Sequence, residues 1–391
     1  DGFPLTTLRY FTRILTLSVL CLCIFFTYFA VQRDLPISKQ NRTPNMKLAN
    51  VTQRLKHTIA HGTPGHKPSI AYATTWFHSQ KTWPYLHFKN FSSCRNKCLI
   101  SDDPKSADAV VFSNRGLHFN AAFDLHHTNA NRRHQVFIFY AVESEIHSRI
   151  NAEHLNSVFN WTATFKRDSD VILGYSHVEP LENEHIEEQT KTLKGKNYAK
   201  GKNKMAVMMV NNCAANTNRL EYAKKLRECG VHVDIFGKCG KRCPGGWCQK
   251  TDIAQQYKFY LSFENSHCQD YITEKFWTNA LRHGMIPVAL GTSKEDYLQV
   301  APPHSFIHTA DFKTVAALAE YLKLLDRNDK LYNEYFEWKK HFRVVYSSAA
   351  CRLCEALHDE KKMNRMKIYS DLKSFWDADS HCQKKGPLPH P

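Results

Sequence analysis

The sequence predicts an α/β protein with two domains that face each other across a cleft. Short apolar runs typical of buried strands alternate with helical patterns, and they do so in two regions separated by the charged segment 182–204. The chain has 391 residues, 42% hydrophobic and 23% charged, which is enough for two globular domains. Its formal net charge of +16 indicates an anionic ligand or surface, but does not distinguish nucleic acid, membrane and phosphorylated substrate.

An uncharged apolar run at residues 14–31 precedes the predicted domains. It is long enough for a transmembrane helix of about 20 residues and exceeds the core of about 7–15 residues in a cleaved signal peptide. Arg9 and Arg13 precede the run, so we expect residues 1–13 to be a cytoplasmic tail. Residues 32–66 are polar and read as a stem, and the chain beyond the anchor is expected in the secretory lumen.

Sequons and cysteines agree with this lumenal location. The four candidate N-glycosylation sites are Asn41, Asn50, Asn90 and Asn160. Eleven of the thirteen cysteines follow the anchor, in a compartment where disulfides persist. The disulfide candidates are Cys94, Cys98, Cys351, Cys354, Cys239, Cys243 and Cys248. We expect the first two to pair with the next two. A zinc site in the last three would need a fourth ligand and suits a reducing compartment better.

The predicted elements fall into two α/β regions. Buried strands are predicted at 108–113, 135–143, 205–210, 231–237, 257–265 and 285–291. Helices are predicted at 216–230, where Gly230 ends the pattern, at 270–284, and within 313–343. The predicted layout is an N-terminal domain at 67–190, a linker at 191–204, a C-terminal domain at 205–370 and a tail at 371–391.

The segment FENSHCQDYITEK, residues 263–275, concentrates polar groups at a strand-to-helix crossover. Doubly wound sheets bind ligands at such crossovers, and the helix N-terminus favours an anion. A helix cap at Asp270 or Thr273 explains the acidic residues, but the helix dipole disfavours Lys275. The segment therefore predicts a diphosphate site.

The stretch YKFYLSFENSHCQDYITEKFWTNALRHGMIPVALG, residues 257–291, resembles the signature of the α1,3-fucosyltransferases, glycosyltransferase family 10. The resemblance continues through 159–175, 301–312 and 351–360, and is strongest to the core N-glycan enzymes of invertebrates and plants. It implies a GT-B fold of two Rossmann-like domains and inverting transfer from GDP-β-L-fucose to a GlcNAc O3, at the innermost residue of the N-glycan. It also implies a single-pass type II Golgi membrane protein.

The same resemblance implies roles for individual residues. Glu143 matches the general base, with Glu145 left as the alternative because the family's usual proline after Glu-Ser is absent. Arg219 and Lys275 match the cations that hold the diphosphate, and Glu274 matches a residue that binds sugar hydroxyls. The further donor-binding candidates are Asn265, Tyr271, Tyr257 and Asn212.

A D-x-D pattern at Asp168 and Asp170 is typical of metal sites in other glycosyltransferases. The resemblance includes this pattern and implies that no metal or other cofactor is required, with Mn²⁺ at most a stimulator. The expected partners are GDP-fucose, the N-glycans of glycoprotein acceptors and the Golgi membrane, through the anchor. The alternatives are an antennal enzyme of Lewis or LacdiNAc type and an inactive lumenal glycan-binding protein. Nucleic acid is excluded because the basic residues are dispersed.

Overall fold

Two parallel β-sheets organise the chain in the computed structural model. The structure describes residues 67–72, 91, 94–114, 135–150, 155–243, 250–346, 348–364 and 367–383. All of them lie in one of the two compact units of the chain, His57–Pro391.

The strands in chain order are β1 (Ser69–Tyr72), β2 (Leu99–Ile100), β3 (Ala109–Ser113), β4 (Val136–Ala141), β5 (Trp161–Thr164), β6 (Val171–Ile172), β7 (His177–Pro180), β8 (Lys204–Met209), β9 (Val233–Phe236), β10 (Tyr257–Phe263), β11 (His267–Cys268), β12 (Ile286–Leu290), β13 (Ile307–His308), β14 (Phe342–Val345) and β15 (Cys382–Gln383). The N-terminal sheet has the order β2-β1-β3-β4-β5-β6, and the C-terminal sheet has the order β13-β12-β10-β8-β9. Every pairing within these two sheets is parallel. Two short antiparallel pairs, β7 with β14 and β11 with β15, join distant parts of the chain.

The helices are α1 (Asn183–Leu193), α2 (Arg219–Glu228), α3 (Lys250–Gln256), α4 (Lys275–Leu281), α5 (Lys294–Val300), α6 (Val315–Arg327), α7 (Asp329–Glu334), α8 (Ala349–His358), α9 (Glu360–Asn364), α10 (Leu372–Phe375) and α11 (Ala378–His381). Short 3₁₀ helices occupy Glu145–His147, Thr309–Asp311 and Glu337–Lys340. The six predicted strands and the α/β alternation are confirmed. Gly230 ends α2 with φ +85°, which a glycine adopts without steric cost.

The end of the chain folds back onto the N-terminal sheet. Helix α8 buries Leu353 and Leu357 against one face of that sheet. Residues 372–383 bury Leu372 and Trp376 against the other face, next to Phe139. The segments that the sequence analysis assigns to the end of the C-terminal domain and to the tail therefore contribute to the N-terminal core.

Four disulfides lie wholly within the described residues. Cys94 pairs with Cys351 and Cys98 pairs with Cys354, which confirms the predicted meeting of these two pairs. They close loops of 257 and 256 residues and hold α8 on the N-terminal sheet.

The other two disulfides were not predicted. Cys239 pairs with Cys213 rather than within its own cluster, and Cys268 pairs with Cys382. Cys243 is also disulfide-bonded, and Cys248 lies outside the described residues. Cys239 and Cys243, being disulfide-bonded, are not thiolate ligands, so the zinc alternative receives no support from these two residues.

Several predictions of the sequence analysis fall outside the described residues. They are the anchor at 14–31 and the sequons at Asn41, Asn50 and Asn90. Within the described part of the chain, no helix combines the length and apolar character needed to cross a membrane. The fourth sequon residue, Asn160, accepts a hydrogen bond from the Phe137 N–H at 2.9 Å and donates to the Lys367 carbonyl at 3.3 Å.

Candidate active site

The first part of the site is a buried arginine at the carboxyl edge of the C-terminal sheet. Arg219 opens α2 and is only 3% exposed. Its Nη1 donates to the Phe263 carbonyl at 3.1 Å and its Nη2 to the Asn212 carbonyl at 2.8 Å. Its Nε has no hydrogen-bond partner among the described residues, and burial lowers the pKa of the guanidinium. Two neutral carbonyls therefore orient the guanidinium, and no carboxylate of the described residues contacts it.

A cavity of about 520 Å³ lies beside this arginine. Its lining comes from the β8–α2 connection and the first turn of α2, between Cys213 and Glu221. The volume lies within the usual range of ligand pockets, about 300–1,000 Å³. The start of a helix also presents backbone donors, so the cavity suits an anionic ligand.

The second cation, Lys275, opens α4 against a buried carboxylate. Its Nζ donates to Glu264 Oε2 at 2.9 Å and to Thr273 Oγ1 at 2.8 Å, and lies 3.3 Å from Glu274 Oε1. Burial opposes the charge on Lys275, but the Glu264 and Glu274 carboxylates outweigh burial and raise its pKa. Lys275 is therefore held as an ammonium group at the same edge of the sheet as Arg219.

A carboxylate from the other sheet meets this edge. Glu143 follows β4 of the N-terminal sheet and is half-buried. Asn265 Nδ2 donates to its Oε1 at 2.9 Å, and the Tyr271 hydroxyl donates to the same oxygen. Ser144 and Ser266 hydroxyls lie 2.7 Å apart beside this contact. The carboxyl ends of the two sheets thus meet at Glu143.

The local backbone of the C-terminal side explains this approach. Asp270 has φ +63°, an uncommon conformation for a residue with a side chain, and the turn leads directly into Tyr271. Gly291, at the end of β12, lies against Glu264, where an added Cβ would be 2.9 Å from Glu264 Cγ. Only glycine permits such a close approach. Helix α4 is a π-helix, a form that is frequent at functional sites.

The structure brings most, but not all, of the predicted donor residues together. Arg219, Asn212, Glu274 and Lys275 lie at the carboxyl edge of the C-terminal sheet. Asn265 and Tyr271 follow that edge and contact Glu143 of the N-terminal sheet. Tyr257 lies at the opposite end of the seven-residue strand β10, where its hydroxyl donates to Asp234 Oδ2 at 2.6 Å. At about 3.3 Å per residue, β10 separates Tyr257 from that edge by roughly 20 Å. Tyr257 is therefore not brought to the candidate site.

The alternative base, Glu145, has a different environment from Glu143. Its side chain is 1% exposed, Oε1 lacks a hydrogen-bond partner among the described residues, and Oε2 lies 3.6 Å from Cys382 Sγ. That sulfur is in a disulfide and has no proton to donate. Burial raises the pKa of Glu145 from its ordinary 4.5 to about 7. The carboxyl is enclosed in the core rather than placed at the edge with the cations.

The D-x-D carboxylates do not converge. Asp170 Oδ2 accepts from the Thr162 N–H at 2.8 Å and from the Tyr369 hydroxyl at 2.7 Å, which ties β5 to the end of the chain. Asp168 is 65% exposed and lies 3.8 Å from Lys166 Nζ. Asp170 therefore stabilises the fold, and neither carboxylate contacts the residues of the candidate site described above.

The sequence analysis gave no role to Glu264 or Arg167 and considered Thr273 only as a helix cap. Glu264 is fully buried and accepts from the Thr273 N–H at 2.8 Å as well as from Lys275. The signal was present in the motif, because a glutamate that directly follows a buried strand needs a partner. Arg167 could not be found this way, since its partners lie 103 and 129 residues away.

Fold and site together define a class: an α/β protein with two parallel sheets, whose facing carboxyl ends hold a buried arginine, a largely enclosed lysine and a carboxylate, as suits a nucleotide-diphosphate ligand. The family description "Glycosyltransferase family 10 (fucosyltransferase) C-term" matches residues 199–376, and "Fucosyltransferase, N-terminal" matches residues 66–176. The chain belongs to this family of fucosyltransferases and is therefore a glycosyltransferase.

Three relatives illustrate the range of the family. The glycoprotein 3-alpha-L-fucosyltransferase A of Drosophila melanogaster is 38% identical over 251 residues, 63% of this chain and 48% of the relative, so the match spans about half of that protein. The 4-galactosyl-N-acetylglucosaminide 3-alpha-L-fucosyltransferase FUT6 of Pan troglodytes is 31% identical, over 91% of this chain and 94% of its own. The alpha-(1,3)-fucosyltransferase 7 of Bos taurus is 35% identical over 72% of this chain and 77% of its own.

A solved structure supports the fold independently. The crystal structure of an α1,3-fucosyltransferase with GDP-fucose aligns with a TM-score of 0.52 at 17% identity and covers 81% of this chain and 98% of that one. The two parallel sheets agree with the GT-B architecture that the family resemblance implied.

Proposed function

We propose that the protein transfers L-fucose from GDP-β-L-fucose to O3 of the innermost GlcNAc of glycoprotein N-glycans, with inversion at the sugar. The observation that carries the chemistry is the meeting of Glu143, from one sheet, with the edge of the other sheet that holds Arg219 and Lys275. A single displacement needs a base on the acceptor side and positive charge on the leaving-group side.

Each residue has a distinct part in this proposal. Glu143 accepts the proton of the acceptor hydroxyl as the GlcNAc oxygen attacks the fucose anomeric carbon. Arg219 and Lys275 stabilise the negative charge that develops on the diphosphate of GDP. The arginine offers Nε, which has no partner among the described residues, and the lysine offers a fixed point charge. Glu274, beside Lys275, binds hydroxyls of the donor sugar.

The acceptor is supported by the relatives rather than by the site. The Drosophila relative is named for a glycoprotein acceptor and has the highest identity of the three, which supports the N-glycan core. A second candidate is an antennal enzyme, because the FUT6 relative, named for a galactosylated GlcNAc acceptor, matches over 91% of this chain. We also propose that the protein is a type II Golgi membrane protein. Its disulfides between distant segments suit the oxidising lumen.

The test offers GDP-fucose with a biantennary N-glycopeptide and, separately, with free LacNAc, and locates the fucose by mass spectrometry. Fucose on the reducing-end GlcNAc supports the core acceptor, and fucose only on antennae supports the second candidate. A GDP-hexose other than GDP-fucose as the best donor would contradict the donor assignment.

A further inference from the structure

Arg167 joins two separate parts of the site from the N-terminal side. It lies three residues after β5. Its Nε donates to Asp270 Oδ1 at 2.5 Å and its Nη2 to Asp296 Oδ1 at 2.6 Å. Its backbone N–H donates to Asp270 Oδ2 at 3.0 Å. The guanidinium therefore bridges two carboxylates that belong to the C-terminal side of the cleft.

The environment makes this bridge strong. The two aspartate side chains are 6% and 10% exposed, and that of Arg167 is 30% exposed. Asp296 lies in the first turn of α5, where the Ser293 hydroxyl accepts from its backbone N–H at 3.1 Å. The planar guanidinium has several donors in a rigid fork, so it can hold two carboxylates at once, which the single ammonium of a lysine cannot do with the same geometry.

Asp270, which accepts two hydrogen bonds from Arg167, occupies a strained turn. Asp270 has φ +63°, and such a backbone conformation persists only when several surrounding contacts hold it in place. Arg167 supplies two of these restraints, one from its side chain and one from its backbone. The next residue, Tyr271, donates its hydroxyl to Glu143 and packs edge-on to Phe165, with ring centroids 4.9 Å apart.

We propose that Arg167 is a positioning residue for fucosyl transfer: by bridging Asp270 and Asp296 it fixes the turn that sets Tyr271, and through Tyr271 the orientation of Glu143. This inference rests on the proposed role of Glu143 as the base. Loss of the bridge leaves Arg219 and Lys275 in place, so GDP binding is retained while the base is misplaced. A displacement of about 1 Å at a reacting group costs about 100-fold in rate.

The test compares Arg167→Gln with two further variants in the lumenal enzyme, using steady-state fucosyl transfer and GDP titration. Arg167→Gln leaves two carboxylates unpaired and is expected to lose stability as well as rate. Arg167→Lys keeps the positive charge but loses the planar set of donors that contacts both aspartates. The triple variant R167M/D270N/D296N removes all three charges, which avoids unpaired buried charge, and asparagine tolerates the left-handed turn at 270.

We expect kcat to fall about 100-fold in the glutamine and triple variants and less in the lysine variant, with unchanged GDP affinity and little change in KM. Arg343→Gln is the matched control, because Arg343 donates from Nε at 3.1 Å and from Nη2 at 2.8 Å to one oxygen of Glu179, Oε2, but its side chain is 65% exposed. Recovery of normal kcat in the triple variant would show that Arg167 only balances charge and would overturn the proposal. Absence of transfer by the unmodified enzyme would instead contradict the proposed function.

Discussion

Replacing Glu264 by glutamine tests whether a buried carboxylate holds Lys275, the lysine proposed to bind the diphosphate. Glu264 is fully buried and accepts hydrogen bonds from the Thr273 N–H, the Thr273 hydroxyl and Lys275 Nζ, all at 2.8–2.9 Å. Glutamine removes the charge and turns one acceptor oxygen into a donor that faces other donors. Lys275, whose side chain is 14% exposed, would keep the neutral Thr273 hydroxyl and, as its carboxylate partner, Glu274, which is 41% exposed.

The expected destabilisation follows from this burial. Removal of one partner of a buried ion pair typically costs about 3–5 kcal/mol, because the other charge is left uncompensated. Removal of both charges is often close to neutral. Glu264→Gln should therefore lower the unfolding free energy by about 3–5 kcal/mol, and the double variant E264Q/K275M should recover most of that loss.

Urea unfolding followed by tryptophan fluorescence, without reductant, measures these changes. The double variant should be stable but unable to transfer fucose, because the cation at the diphosphate is gone. Glu228→Gln is the matched control, since its pair with Lys224 is about 60% exposed on both sides and should contribute less than about 1 kcal/mol. A single variant as stable as the control, or an active double variant, would refute the reasoning.

Three further outcomes are expected. In a transfer assay, Glu143→Gln should reduce activity by about 10²–10⁴-fold with GDP affinity retained, whereas Glu145→Gln should stay active. An active Glu143→Gln together with an inactive Glu145→Gln would make Glu145 the base. Burial raises the pKa of Glu145 from 4.5 to about 7, so its proton stabilises the fold fully below pH 4.5, and this contribution is lost as pH rises from 4.5 through 7. Unfolding measured at pH 5 and at pH 8 should show the stability of Glu145→Gln rising by roughly 2.5 kcal/mol relative to the unmodified protein. EDTA should leave substantial transfer activity, and complete loss restored by Mn²⁺ would assign a metal to Asp168 and Asp170.

The strands that the sequence predicted share one property. Strand β4 is a continuous apolar run, β10 is interrupted only by Lys258 and Ser262, and every residue in the two strands is buried. Such runs can be recognised in a sequence as strands, because both faces of a parallel sheet are covered and most side chains are therefore apolar. The polar crossover after β10 was predictable for the same reason, since its place follows from the strand and helix on either side.

Strand β5 shows what sequence patterns could not reveal. Its Thr162 and Thr164 are fully buried, yet threonine at alternate positions reads as a solvent-facing edge. Asp170 accepts from Thr162 Oγ1 at 3.1 Å, and the Ser169 hydroxyl lies 2.6 Å from that of Thr164. These partners lie in the loop that follows β5, and a sequence pattern does not show that this loop folds back onto the strand. The pairing of Cys268 with Cys382, across 114 residues, was unpredictable for the same reason.

The segment 265–273 explains how one stretch of sequence serves both sides of the cleft. It leaves the C-terminal sheet at β10, and Cys268 and Tyr271 pack in the aromatic core of the N-terminal sheet. The chain then returns to the C-terminal side at Lys275. A disulfide, the Arg167 bridge and the bonds to Glu143 restrain it independently. This single segment therefore connects the proposed base to Lys275, one of the two proposed leaving-group cations. We expect loss of its restraints at Arg167 or at the Cys268–Cys382 disulfide to alter kcat more than donor affinity.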